Sequence, residues 1–489
     1  MSVKPCNPAG RGENLTDFSA PGSLRARTSR RAVINLGIAT KALEVPMLNY
    51  PSPTPTAQLP ASKIGFLRWR IAILISVAIA ISYLDRQTLP VAIKAIGADI
   101  PISNEAKANL DSAFLITYGL MYLGGGRLMD LLGTRRGFAL TMAVWSLACA
   151  SQGLAGGLMM LAASRLMLGI GEGGGFPAAT RAVAEWFPLR ERSIAMGMMN
   201  GGTAIGGIIA PPLIALILTY FHWSGIAPWR WMFFITGAFG LLWIIWWLWD
   251  YYPPRRHPRL GAAERAMIQT DAAARPAENA TIPFTDVLRR RETWGIVIAK
   301  FLSDAAWYFY LFWLPKYLFD VYHFDIKAVG QVAWLPHAAA GIGCLCGGAL
   351  SSYLLVRGFS VNWSRKLALG ASAAVMPALI LVPHVTVVPA MVLFCLGYFG
   401  QQSWSTLVMV LPTDLFPKEA VGSVAGLVGF GGAMGGVVLG SIAGYLLDHG
   451  SGYGPVFAIA GSMHVAAFCV ILAMVPSMGM VEGRVATSR

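Results

Sequence analysis

Apolar residues in this chain come in long unbroken runs, unlike the alternation of a half-buried strand or the single stripe of a surface helix. From residue 70 onward, runs of roughly 20 apolar residues recur, each closed by charge, proline or glycine. About twelve can be marked, near 70–94, 110–131, 137–156, 160–182, 193–220, 231–250, 294–319, 329–355, 364–383, 387–411, 421–447 and 455–477. Each is long enough to cross a bilayer as a helix, so the pattern predicts an all-α membrane protein with twelve transmembrane helices. The longest polar interruption lies mid-chain. It divides the sequence into a leader (1–63), a six-helix half (64–250), a linker (251–293), a second six-helix half (294–478) and a tail (479–489). The leader, rich in Pro, Ser, Arg and Ala, reads as disordered, with Met47 an alternative start.

Composition strengthens this picture and removes a rival. Only 13% of the 489 residues are charged and mean hydropathy is +0.57, against about 25% charged in a soluble domain. A net charge of +14 would suit a nucleic-acid partner, but the bases are placed otherwise. Of the 38 Lys and Arg, about 30 lie in the termini and in the loops after helices 2, 4, 6, 8 and 10. About five, Lys107 among them, fall in the opposite loops. The asymmetry predicts cytoplasmic termini, a lipid bilayer as the surrounding medium and no nucleic-acid partner. Cys149, Cys344, Cys346, Cys395 and Cys469 lie in apolar segments, and neither a disulfide framework nor a metal site is expected. No nucleophile–base set points to an enzyme.

The halves repeat one another at an offset of about 229 residues. Glu185-Trp-Phe-Pro188 matches Asp414-Leu-Phe-Pro417, and Gly197, Gly202, Gly206 and Gly207 match Gly426, Gly431, Gly435 and Gly436. Glycines in register let helix backbones approach, so helices 5 and 11 are expected to pack alike. Two halves in one orientation are the pattern of parallel-repeat transporters. The same offset sets Glu172 on Gln401, an ionisable group against its neutral isostere.

Charges inside membrane helices cost roughly 2.5–3.5 kcal/mol or more each and mark function. Asp85 and Arg86 are adjacent on helix 1 and diverge by about 100°. Arg165 and Glu172 share a face of helix 4, about two turns or roughly 10 Å apart. On helix 7, Lys300 and Asp304 stand i, i+4, which fits a self-neutralising pair or a substrate contact. Helix 10 carries Gln401-Gln-Ser-Trp404-Ser-Thr406. Its amides and hydroxyls suit sugar hydroxyls and its indole suits a pyranose face, or the patch hydrogen-bonds between helices. Trp307, Tyr308, Tyr310 and Trp313, and the four tryptophans between 243 and 249, read first as interfacial belts. Gly169-Ile-Gly-Glu-Gly-Gly174 matches a dinucleotide fingerprint, but no strand precedes it; it reads as close helix packing, with Pro177 bending the helix.

After helix 2 the chain reads Gly126-Arg-Leu-Met-Asp130-Leu-Leu-Gly133-Thr-Arg135-Arg136, which resembles the signature loop of the major facilitator superfamily. There Asp130 can accept a charge-assisted hydrogen bond from the Arg pair or a helix end and latch the cytoplasmic gate. The counterpart, Gly348-Ala-Leu350-Ser-Ser352 then Arg365-Lys366, has serine where an acid would stand, leaving a second latch open. Within the superfamily the chain is similar to the anion–cation symporters, in particular hexuronate transporters. The likeness rests on Tyr83-Leu-Asp85-Arg86, on Arg165-x6-Glu172-x4-Pro177, on Ala184-Glu-Trp-Phe-Pro188 with Arg190-Glu-Arg192, and on the helix 7 run from Lys300. It implies that Tyr83, Arg86, Tyr118 and Arg165 surround the substrate, and that Asp85 and Glu172 carry protons.

The expectation is a monomeric proton-coupled importer of a small organic anion, most simply a hexuronate, in a bacterial inner membrane. No cofactor is expected; the proton is the coupling ion. Galactonate, glucarate or phthalate-type anions are the alternative cargo. A drug/proton antiporter and a non-transporting sensor are further rivals. Helix 5 has glycine where antiporters of the superfamily often carry a motif proline, which favours symport.

Overall fold

The computed structural model describes residues 65–273, 284–416 and 418–478, so the expected leader and tail lie outside it. Helix α1 (Leu67–Asp99) is long enough, at 1.5 Å per residue, to exceed a bilayer core of about 30 Å. Helix α2 (Asn104–Gln152) holds two crossings, broken at Gly133 by φ +72° and ψ 155°, a conformation that favours glycine. Helices α3 (Leu158–Gly173) and α4 (Gly175–Trp186) form one crossing broken at Gly174, just ahead of Pro177, where the bend was expected. Next come α5 (Leu189–Tyr220), α6 (Pro228–Asp250) and two short linker helices, α7 (Ala262–Ala273) and α8 (Phe284–Leu288).

The second half has the same plan. Helix α9 (Arg291–Val321) is followed by α10 (Ile326–Val332) and α11 (Leu335–Val356) as one crossing. Helix α12 (Val361–Ala374) is extended by a 3-10 turn (Met376–His384), and α13 (Val387–Leu415), α14 (Lys418–Asp448) and α15 (Gly454–Met474) complete it. Among the described residues, 8 helical segments are both long and apolar enough to cross a membrane by themselves. The two limbs of α2, the α3–α4 pair and α13 carry the polar and glycine residues that lower their hydropathy, and they bring the crossings to twelve.

The repeat is visible in the packing. A Cβ on Gly206 would strike the carbonyl oxygen of Ala80, fixing α5 on α1; one on Gly435 would strike that of Phe301, fixing α14 on α9. Equivalent glycines thus seat equivalent helix pairs, and any side chain there would force the pair apart.

Two aromatic groups depart from the belt expectation. Trp243 and Trp247 are buried, stack on one another and donate to the carbonyls of Leu74 and Arg135 at 2.9 Å each. Of the group, Trp249 is exposed as a belt residue would be. On α9 the aromatics are enclosed because the helix is central: 78% of its apolar window is buried, against 22% for residues 326–356.

Helix direction defines two ends. The basic end carries the Gly133 break, the start of α1 and the end of α15. Here Arg68 of α1 bonds Glu191 of α5 at 2.7 Å and Glu264 of α7 at 2.9 Å, tying the linker to the bundle. At the far end Asp448 of α14 caps α2, accepting from the backbone of Asn104 and Glu105 at 3.0 and 2.8 Å.

Candidate functional site

Between the halves lies a cavity of about 520 Å³, within the ~300–1,000 Å³ range of small-molecule sites. Its walls are Tyr83 and Arg86 of α1, Tyr118 and Tyr122 of α2, residues in the basic halves of the α3–α4 crossing, α5 and α13, mid-crossing residues of α11 from His337 to Leu345, and Lys300, Asp304, Trp307 and Tyr308 of α9. The lining therefore runs from mid-membrane toward the basic end, while the far end is closed by α2 against α14. A larger cleft, about 870 Å³, lies at the basic end around Gly133, Arg135, Arg136, Arg255 and Arg256, away from the buried charges.

Arg86 is the centre of the cavity's N-terminal wall. Its Nε donates to Glu172 Oε2 at 2.6 Å, and Ser82 Oγ donates to the same oxygen at 2.8 Å. The guanidinium lies over the rings of Tyr118 and Tyr83, 4.4 and 4.7 Å from their centroids. Arg86 Nη2 and Glu172 Oε1 are buried without a hydrogen-bond partner among the described residues. An arginine with one edge in an ion pair and another free can grip a carboxylate.

Asp85 points elsewhere. It is fully buried against Trp145, Cys149 and Thr236 and does not line the cavity. The divergence expected of adjacent helical residues separates it from Arg86's partner.

Arg165 is not on the cavity wall either. Its Nη2 donates to Asp111 Oδ1 at 3.0 Å, and Lys107 Nζ donates to Asp111 Oδ2 at 2.6 Å. The cluster is buried under Phe114, Phe312 and Trp313, with Arg165 4.9 Å from Phe114's centroid and Lys107 4.2 Å from Trp313's. Lys107, read from sequence as a loop base, is instead wholly buried in α2. Asp111 was missed, although the i, i+4 spacing that singled out Lys300 and Asp304 also links Lys107 to Asp111.

The C-terminal wall is a polar chain. Lys300 Nζ donates to Asp304 Oδ1 and to Ser405 Oγ, each at 2.9 Å, and Gln401 Nε2 donates to Asp304 Oδ1 at 3.3 Å. Lys300 and Asp304 are thus a self-neutralising pair that also lines the cavity. Trp404 is turned away, buried edge-on against His464 with ring centroids 5.7 Å apart, so the indole that lines the cavity is that of Trp307 instead.

At the basic end Asp130 pairs with Arg181 of α4 and not with Arg135 or Arg136. Arg181 also reaches Glu185 at 3.2 Å, and Glu185 accepts from Thr134 and Tyr251 at 2.6 Å each. Arg135 caps the end of α6 through the carbonyls of Leu248 and Tyr251; Gly126 and Arg136 are exposed. The other half has a counterpart despite Ser352. Arg365 bonds Asp414 and Ser351, both at 2.8 Å, so the acid is supplied by α13.

Residues 75–440 match the model of the Major Facilitator Superfamily. The chain is 32% identical over 429 residues to the hexuronate transporter of Escherichia coli K12, spanning 86% of this chain and 96% of that protein. It is 34% identical over 319 residues to the galacturonate transporter of Dickeya chrysanthemi, spanning 64% and 90%. In fold it matches the inward-open xylose transporter XylE of E. coli with a TM-score of 0.64 at 14% identity, over 85% of this chain and 98% of that one. With a cavity between two repeated six-helix halves and a family match over most of its length, the chain belongs to the Major Facilitator Superfamily of membrane transporters.

Proposed function

We propose that the protein imports a sugar-acid anion together with a proton, and that the anion is a hexuronate such as glucuronate or galacturonate. The observation that carries this reading is the pair of Arg86, on the cavity wall, with Glu172 behind it, one guanidinium nitrogen and one carboxylate oxygen being without a partner among the described residues. A substrate carboxylate competes with Glu172 for the guanidinium fork, and an acid that loses its cation in a dry site takes up a proton. Substrate and proton then move together by alternating access. The names of the hexuronate and galacturonate relatives supply the class of anion, and the polar wall of Lys300, Gln401 and Ser405 suits hydroxyls.

The charges facing or backing the cavity also set the expected stoichiometry. Arg86 with Glu172, and Lys300 with Asp304, balance when the cavity is empty. One monoanion with one proton on Glu172 keeps that balance, so the loaded carrier crosses without net charge. The basic end is assigned to the cytoplasm by its Lys and Arg content, which makes the cavity inward-facing; the bacterial relatives support a bacterial inner membrane as its location. One chain contains the whole pathway, consistent with a monomer.

Uptake of labelled glucuronate into proteoliposomes under an imposed inward proton gradient is the test. The expected result is accumulation abolished by an uncoupler, competed by galacturonate and indifferent to a potassium–valinomycin potential. Uptake of galactonate or glucarate in its place would reassign the anion; accumulation unaffected by the uncoupler would remove proton coupling.

A further inference from the structure

The C-terminal wall continues outward past the cavity to a residue that the transport cycle does not touch. His464 of α15 is fully buried, and its Nε2 contacts Gln401 Oε1. Asp304, paired with Lys300, only accepts hydrogen bonds, so Gln401 must turn its NH2 toward it. The amide oxygen then faces His464, and the imidazole has to donate to it. His464 Nδ1 gives the same answer: it is buried with no partner among the described residues. A bare acceptor lone pair is tolerated there better than an orphaned N–H donor. The hydrogen is therefore on Nε2.

We propose that His464 is a positioning residue that, as the second anchor beside Asp304, holds the hydrogen-bonding polarity of the cavity by keeping Gln401 with its NH2 inward. One amide N–H serves Asp304 and the other is left for the cavity that Gln401 lines. Ser405 Oγ accepts from Lys300, which frees its own O–H to donate. Lys300, Ser405 and Gln401 thus form a wall of donors that selects ligands rich in acceptor oxygens over deoxy analogues. This inference rests on the reading of the cavity as an anion site.

The test compares His464→Leu, which removes the donor, with His464→Gln, whose amide N–H can replace it, in the full-length chain. Initial uptake rates are measured for glucuronate and a deoxy analogue. In His464→Leu the KM for glucuronate is expected to rise about five- to tenfold with kcat within about twofold, and the preference over the deoxy analogue to shrink. His464→Gln is expected to restore most of both. A proportional loss of kcat with selectivity unchanged, not rescued by Gln, would reduce His464 to packing and overturn the proposal.

A second readout does not depend on the cargo. In ¹⁵N spectra of histidine-labelled protein, the signal missing from His464→Gln should be a neutral imidazole with hydrogen on Nε2, and it should shift in Gln401→Leu. Hydrogen on Nδ1 would overturn the proposal whatever is transported. If the liposomes take up no glucuronate, the substrate reading fails while this spectrum still decides the positioning.

Discussion

Arg86 and Arg165 flank the same ring. The guanidinium of one lies 5.6 Å from the centroid of Phe114 and that of the other 4.9 Å, and both are enclosed and paired with a carboxylate. Yet Arg86 opens on the cavity while Arg165 lies beyond the ring, sealed with Asp111 and Lys107 under Trp313. Residue type and burial are the same; depth relative to Phe114 is different. An arginine below the ring is open to a ligand in this conformation, and one above it is packed with Lys107 against Phe312 and Trp313 of the other half. The comparison separates a proposed binding role from a proposed gating role, and each has its own signature when broken.

The largest effect is expected at Arg86. Removing one partner of a buried ion pair costs about 2–5 kcal/mol, and Arg86 is also the proposed ligand for the substrate carboxylate. Arg86→Ala should therefore lower kcat/KM at least about 100-fold, measured by uptake and by substrate binding to the detergent-solubilised protein. Arg86→Lys keeps the charge but not the fork, and should remain impaired about tenfold or more. Binding that survives Arg86→Ala would move the anion to another cation. Glu172→Gln should act on coupling: gradient-driven accumulation is lost while substrate exchange between equal pools stays within about threefold of wild type. Exchange lost in parallel would make Glu172 a structural partner of Arg86 only.

Asp111 tests the other side of Phe114. Asp111→Asn leaves Arg165 and Lys107 without their carboxylate, which unsettles the cations that pack on Phe312 and Trp313 of the other half. A shift of about 1.4 kcal/mol changes the ratio of the two conformers tenfold. Labelling of a cysteine introduced at Asn104, beside the Asp448 cap, should accelerate several-fold in Asp111→Asn and revert in Asp111→Glu. Unchanged labelling would mean that the α2–α14 packing closes the far end without help from the ions.

Much of this was legible because charge inside a membrane helix is expensive and stands out. Asp85, Arg86, Arg165, Glu172, Lys300 and Asp304 all stand out as buried charges, and the glycine repeat foretells that α5 and α14 pack alike, though not that α1 and α9 are their partners. Partners were not legible. Glu172 shares its face with Arg165 along the helix, but its ion pair is with Arg86 across to α1, because two turns of rise separate it from Arg165. Lys107 looked like a loop base because it sits in the first turns of α2, where sequence alone does not show which face turns inward. Trp243 and Trp247 had belt composition, and only the neighbouring carbonyls of Leu74 and Arg135 reveal why their N–H groups are buried. Intrahelical spacing gives faces; the choice of partner is made by helices far apart in sequence.

The smallest expected effect is at Trp404, and it sharpens the boundary between cavity and support. From sequence it reads as a sugar platform or as part of an interhelical patch; in the structure it lies behind the wall, its indole edge-on to His464 and its Nε1 without a hydrogen-bond partner among the described residues. Trp404→Phe therefore removes no hydrogen bond and keeps an aromatic ring against the imidazole. KM for the transported anion should stay within about twofold, and the loss should be confined to packing, of order 1–2 kcal/mol or less, read as a modest fall in thermal stability. Tyr118→Ala is the contrast: it strips the ring 4.4 Å from Arg86 and should raise KM several-fold without a comparable loss of fold, since that face borders the cavity. A tenfold rise in KM for Trp404→Phe would mean that α13 turns during transport and brings the indole to the substrate. The donor wall built from Gln401 on the same helix would then be remade in each cycle instead of standing fixed.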